Sequence, residues 1–124
     1  MRSQGWKTSI GCGVTPLRPF ECKAIEILVA GIIPVETLGE IFEESAVADY
    51  EYTGCGYFLK LTHPELPSKV CTCHEPKVRG EANGILSGFI VYLGDGELVL
   101  ECYTLGEIDV PPTYRDQDVQ VSAT

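Results

Sequence analysis

The residue types best suited to chemistry are concentrated around the stretch KVCTCHEPKV. Cys71, Cys73 and His74 lie within it, and Cys55 and His63 precede it along the chain. Thiolates and imidazoles are ligands that zinc prefers, and four of them complete its tetrahedral coordination. Two neighbouring thiols can also form a redox-active pair. The composition of this stretch therefore raises the question of a metal or redox site.

The spacing of the two cysteines argues against shared metal ligation. Structural zinc ligands usually have about two to four residues between them on a tight turn, whereas Cys71-Thr72-Cys73 lies in a segment with strand character. Residues two apart in a strand are separated by roughly 6.6 Å. Two thiolates on one zinc must approach to about 3.8 Å, and strand alternation sends His74 to the opposite face. We therefore predict no metal and no cofactor, and interpret both cysteines as buried or half-buried strand residues.

Nucleophilic catalysis needs a thiol within hydrogen-bond reach of a base. Cys12 and Cys55 each stand between two glycines, and His63 and His74 are the histidines available as bases. The Gly-Cys-Gly sequences lack the flanking residues of a nucleophile motif, and glycines that bracket a turn are the commoner cause. We predict no catalytic residue. A small cysteine-dependent enzyme or a metal-binding protein is the alternative hypothesis.

A binding surface is the function that the remaining residues favour. Five of the six tyrosines fall on predicted strands, and a tyrosine offers contact area together with a polar tip. A predicted helix adds a row of glutamates. We therefore predict ligand or partner binding at Tyr50, Tyr52, Tyr57 and Tyr103 and at Glu36, Glu40, Glu43 and Glu44.

Helical periodicity is clearest in IIPVETLGEIFEESA, residues 32–46. Pro34 suits the first helical position, and Val35, Leu38, Ile41 and Phe42 recur at the spacing of one apolar face. This pattern predicts an amphipathic helix whose outward side is acidic.

A period of two predicts strands in most of the remaining chain. The sequence ILSGFIVYL is apolar on both faces, which is typical of a central strand covered on both sides. Glycine-rich turns at 54–56 and 94–96 favour hairpins. The predicted strands lie at 7–10, 23–30, 48–53, 57–62, 69–79, 85–93 and 97–105, with a further edge strand that carries Val119 and Val121.

These elements together predict an α+β fold, with one main helix packed on a mostly antiparallel, meander-like sheet of five or six strands. We expect a single domain over residues 1–124, with a loosely structured segment at 1–20 and an extended segment at 106–124. The free edge strand favours a homodimer through strand pairing.

The charge of the chain excludes one class of function. Eighteen acidic residues against nine basic ones give a formal charge of −9. A nucleic-acid binder must neutralise phosphates with Lys and Arg, and the basic residues of this chain are scattered. We therefore predict no nucleic-acid partner. A basic protein is the partner whose charge complements the negative charge of this chain.

The apolar runs of the chain are short. The opening residues contain no run of the ~7–15 apolar residues of a signal peptide, and no later run approaches the ~20 residues of a membrane span. We expect a cytoplasmic protein with no membrane partner and with six reduced cysteines.

Two stretches resemble a group of bacterial proteins. GYFLKLTHPELP (56–67) and GFIVYLGDGELVLECYTLGEIDVPPTYRDQDVQV (88–121) resemble small proteins encoded by mobile integron gene cassettes. The resemblance implies a compact bacterial accessory protein, often oligomeric, and transfers no site residue. We expect a non-enzymatic domain that binds a small molecule or a basic protein. A more specific form of this hypothesis is an immunity or antitoxin-like role.

Overall fold

The computed structural model describes residues 17–45, 47–106 and 109–124. These residues form two α-helices, seven β-strands and one short 3-10 helix, Tyr114–Asp116. The helices are α1 (Pro19–Leu28) and α2 (Val35–Glu44). The strands are β1 (Val47–Tyr52), β2 (Gly56–Thr62), β3 (Cys71–Cys73), β4 (Val78–Ala82), β5 (Ile85–Gly94), β6 (Glu97–Thr104) and β7 (Gln120–Ala123).

All described strands join one antiparallel sheet in the order β1-β2-β6-β5-β4-β7, and β3 also pairs with β5. The hairpins β1-β2, β4-β5 and β5-β6 confirm the predicted antiparallel pairing. The α+β class is therefore shown, but with two helices rather than one, and seven strands rather than five or six.

The predicted strand at 23–30 is wrong, because residues 23–28 belong to α1 and residues 29–30 to the turn that follows it. A proline is the first residue of α1, and the Glu21 carboxylate accepts a hydrogen bond from the Arg18 backbone N–H at 2.8 Å. Both features favour a helix start. Ala24 and Leu28, four residues apart, lie buried on one side of the helix. The same segment has both the alternation that indicated a strand and the spacing of a helix. Tertiary packing decides which of the two structures forms.

The predicted helix at 32–46 is confirmed over Val35–Glu44. Leu38 and Ile41 are buried and Phe42 is half-buried, as the spacing predicts. The prediction that Val35 lies on the apolar face is wrong, because 78% of this residue is exposed.

The predicted strand at 69–79 divides into β3 and the first residues of β4. The segment predicted as extended, 106–124, holds the 3-10 helix and β7, and β7 pairs with β4. The predicted strand at 7–10 lies outside the described residues.

The core lies between the helices and one face of the sheet. Phe20 of α1 contacts Phe89 of β5, with ring centroids 6.1 Å apart. Leu59, Val91 and Leu100, which stand side by side on β2, β5 and β6, are at most 1% exposed. We call this side of the sheet the covered face.

A buried ion pair ties α1 to the end of the chain. Arg115 Nε donates to Glu21 Oε2 at 2.6 Å, and Arg115 Nη2 donates to Glu21 Oε1 at 3.0 Å. Tyr57 Oη of β2 donates to Glu21 Oε2 at 2.6 Å. Glu21 is 0% exposed and Arg115 is 7% exposed. The carboxylate is therefore held by several donors where water does not reach it, which is the condition for a charge to be tolerated in a core.

The replacement Arg115→Met tests this pair. It leaves the Glu21 charge buried without its cation, so we expect the free energy of unfolding to fall by about 3–5 kcal/mol. Urea denaturation followed by circular dichroism measures the change. The matched control is Asp116→Asn, which breaks the exposed Arg18–Asp116 pair (2.6 Å) and should cost less than about 1 kcal/mol. Equal losses in the two variants would show that the buried pair has no special role.

Candidate functional site

The candidate site is the side of the sheet opposite the covered face, which we call the outer face. The cross-strand pairs place its residues in rows, such as Glu51-Phe58-Glu101-Ile90 across β1, β2, β6 and β5. The charged and large apolar residues of the outer face are Asp49, Glu51, Phe58, Lys60, Arg79, Glu81, Leu86, Ile90, Tyr92, Glu97, Val99, Glu101 and Tyr103.

Apolar side chains on the outer face remain in contact with water. Phe58, Ile90 and Val99 are half-buried, Leu86 is 47% exposed and Tyr92 is 37% exposed. The prediction that β5 is covered on both sides is therefore wrong for the described residues. A central strand with apolar residues on both faces is typical of a sheet with two covering layers, and an apolar face that no described layer covers is a candidate interaction surface.

Acidic residues dominate the charge of the outer face. It carries five carboxylates, Asp49, Glu51, Glu81, Glu97 and Glu101, against the two cations Lys60 and Arg79. Lys60 Nζ lies 3.7 Å from Glu97 Oε2. The outer face therefore combines apolar area with a net negative charge.

A small cavity opens on this face. Its volume is about 150 Å³, and its lining includes Asp49, Glu51, Phe58, Lys60 and Val99. Pockets for drug-sized ligands usually measure about 300–1,000 Å³. The cavity is therefore suited to one inserted side chain rather than to a whole small molecule.

A larger groove of about 450 Å³ lies where α1 connects to α2. Its walls are mainly apolar, with Ile32 and Val35 exposed, and Glu26 is the charged residue that the structure places in its lining. A small-molecule site needs several converging polar groups to orient its ligand, so this groove is a weaker candidate than the outer face.

The predicted tyrosines do not share one surface. Tyr50, Tyr52 and Tyr57 point to the covered face, and Tyr103 points to the outer face. Tyr57 is 1% exposed, and its burial and the adjacent Glu21 carboxylate raise its pKa well above 10.0. Tyr52 Oη donates to the Val110 carbonyl. Tyr57 and Tyr50 therefore belong to or pack against the core, whereas Tyr52 is 38% exposed at its edge.

Sequence reasoning missed Tyr92 as a surface residue. It stands on the outer face, and its Oη donates to Glu101 Oε1 at 2.7 Å. The strand parity that places Tyr103 outward also places Tyr92 outward once β5 is paired with β6. That pairing, predicted from the turn Gly94-Asp95-Gly96, was the signal available to find it.

The predicted glutamates form a separate acidic surface. Glu36, Glu40, Glu43 and Glu44 are all exposed on α2, and Glu44 Oε1 lies 2.7 Å from His63 Nε2. Because the buried residues of α2, Leu38 and Ile41, belong to the same core as the covered face, these carboxylates do not extend the outer face.

The geometry does not assemble a cysteine–histidine dyad from Cys55. Cys55 precedes β2 and His63 follows it, and eight residues at about 3.3 Å each place them roughly 26 Å apart. The strand order sets β6 and β5 between Cys55 and the end of β3, which precedes His74. Cys12 lies outside the described residues. Burial raises the pKa of the Cys102 thiol to about 12, so Cys102 stays protonated.

Cys71 and Cys73 form the predicted strand, but their sulfurs lie only 3.9 Å apart. The prediction that strand spacing keeps the two sulfurs too far apart for one ion is therefore wrong. The backbone spacing is that of a strand, but each side chain is free to lean toward the other. Within the described residues, no group of three or more His, Cys, Asp or Glu side chains is placed to hold a metal ion.

Comparison with known proteins gives no relative from which a function can be transferred. No protein family matches the chain, no curated protein matches it, and no solved structure matches its fold. Neither α-helix in the described part of the chain is long and apolar enough to cross a membrane.

The hydrogen bond between Tyr92 and Glu101 gives a test of the outer face geometry. The Glu101 carboxylate accepts a hydrogen bond from the Tyr92 phenol and repels the phenolate, and both effects raise the pKa of Tyr92 above 10.0. Glu101→Gln should therefore lower the pKa of Tyr92 toward its ordinary value. Glu97→Gln, a change on the same strand and face, should leave it unaltered. Tyrosine ring NMR against pH measures both, and an unchanged pKa in Glu101→Gln would contradict the geometry.

Proposed function

We propose that this chain is a non-enzymatic protein-binding domain whose outer face receives a basic partner surface that carries apolar side chains. The observation that carries the proposal is β5, a central strand with apolar residues on both sides and, among the described elements, a helical layer on one. Covering Leu86, Ile90 and Tyr92 removes apolar surface from water, and each Å² buried contributes roughly 25 cal/mol.

Charge complementarity selects the chemistry of the partner. Five carboxylates against two cations on the outer face, within a chain of net charge −9, attract a basic surface and steer its approach. A second copy docking through the same face would oppose carboxylates to carboxylates, which is unfavourable. The expected homodimer is better served by the edge strand β7, which pairs only with β4 among the described strands, and this arrangement leaves the outer face open.

The size of the outer cavity favours a protein over a small molecule. A volume of about 150 Å³ accepts one side chain as an anchor, and buried anchors dominate the affinity of protein interfaces. An immunity or antitoxin-like role, in which the chain caps a cationic toxin, is one version of this proposal. The acidic surface of α2 is the alternative place for such a partner.

Selection from a random peptide library tests the proposal without knowledge of the natural partner. Peptides are selected on the protein and counter-selected on the double variant Leu86→Lys/Tyr92→Lys, which places two cations on the outer face. We expect the surviving peptides to be rich in Lys or Arg and in aromatic or large aliphatic residues. Acidic or uncharged peptides, or peptides that bind both proteins equally, would overturn the proposal.

Two variants matched in charge separate the outer face from α2. The outer variant carries Asp49→Asn, Glu51→Gln, Glu97→Gln and Glu101→Gln. The helix variant carries Glu36→Gln, Glu40→Gln, Glu43→Gln and Glu44→Gln. Calorimetric titration with a selected peptide should give a Kd about tenfold or more weaker for the outer variant and little change for the helix variant. The reverse order would move the binding site to α2.

A further inference from the structure

We infer that Cys71 and Cys73 form a dithiolate site for one soft metal ion of low coordination number, with Cu(I) as the ion whose chemistry fits best. The site is independent of the outer face, because both cysteine side chains point to the covered face. Cys71 stands opposite Leu93 and Cys73 opposite Val91, whereas Thr72 between them stands opposite Tyr92 on the outer face.

The sulfur separation fits chelation without a change in the backbone. With metal–sulfur bonds of about 2.3 Å, two thiolates lie ~3.8 Å apart on a tetrahedral ion and ~4.6 Å apart on opposite sides of a linear one. The observed separation of 3.9 Å falls within this interval. An ion can therefore bind both sulfurs while β3 stays paired with β5.

A disulfide between the same residues is less compatible with the strand. Its Cβ atoms must approach to about 3.5–4.5 Å, whereas positions two apart on a strand are separated by roughly 6.6 Å. The sulfurs can lean together from such positions, but the Cβ atoms cannot meet unless β3 bends away from β5. The three pairs that hold β3, Cys71-Leu93, Thr72-Tyr92 and Cys73-Val91, oppose that bend.

The ligand set selects a soft ion over zinc. Thiolates prefer soft ions such as Cu(I), and Cu(I) is stable with two or three ligands. Zinc in structural sites takes four ligands, and the described residues supply no third His, Cys, Asp or Glu at this position. The strand residues opposite, Val91 and Leu93, are apolar and buried and supply no further ligand.

The two sulfurs differ in their access to solvent. Cys71 is half-buried and Cys73 is 5% exposed, so an ion reaches the pair from the Cys71 side. Burial, and then the neighbouring Cys71 thiol, raise the pKa of Cys73 to about 11. Both thiols release their protons on binding: one Cu(I) ion and two thiols give one bis-thiolate complex of charge −1 and two protons.

Anaerobic titration with Cu(I) against the chromophoric chelator bicinchoninate tests the site. The reduced protein should withhold one equivalent of Cu(I) from the chelator. Cys71→Ser and Cys73→Ala should each lose that equivalent, and Cys22→Ser and Cys55→Ser should keep it. Cys22 and Cys55 are the matched controls, because they are a half-buried and an exposed thiol outside β3.

A second readout uses stability, since an ion that binds the folded state raises the unfolding temperature. Cu(I) should raise it in the unmodified chain and in Cys55→Ser, but not in Cys71→Ser, whose fold is checked by circular dichroism without metal. The inference is overturned if no Cu(I) is withheld or if the control variants lose it equally. It is also overturned if oxidised glutathione converts the pair fully to a disulfide, because β3 then bends readily and the pair is a redox site.

Discussion

The structure depends on how its sheet is covered. In the described chain, two helices of 10 residues each lie on one face of a seven-stranded sheet. They bury Leu59, Val91 and Leu100 almost completely. The opposite row, Phe58, Ile90 and Val99, stays half-buried. Because apolar surface is costly in water, we propose that a second molecule covers this side of the sheet, which no other described element covers. The proposed function follows from this asymmetry.

The buried Glu21–Arg115 pair helps to hold the short helix α1 on the covered face. Glu21 sits in the first turn of α1, Arg115 in the 3-10 helix, and Tyr57 on β2. These contacts fix α1 to the sheet and to the segment that precedes β7. Hydrogen bonds to a buried carboxylate are stronger than those between neutral groups. The pair therefore holds α1 against the covered face.

The hairpin strands and α2 were predictable because local alternation, glycine turns and helical spacing agree there. Helix α1 was not predictable, because Ile25 and Ile27 alternate as in a strand while Ala24 and Leu28 have the spacing of a helix face. The buried ion pair joins residues 94 positions apart, and no local pattern reports such a contact. Tyr92 and the outer face depend on β6 lying between β2 and β5, which is a property of strand order. The convergence of Cys71 and Cys73 depends on side-chain rotamers, which strand spacing does not specify.

Methyl NMR of the protein with a selected basic peptide tests the central claim most directly, because methyl groups report one face of the sheet at a time. The account predicts shifts of the Leu86, Ile90 and Val99 methyl signals on the outer face. It predicts little change for Ile32 and Val35, which are exposed at the connection between α1 and α2. Shifts at Ile32 and Val35 with an unchanged outer face would contradict the account.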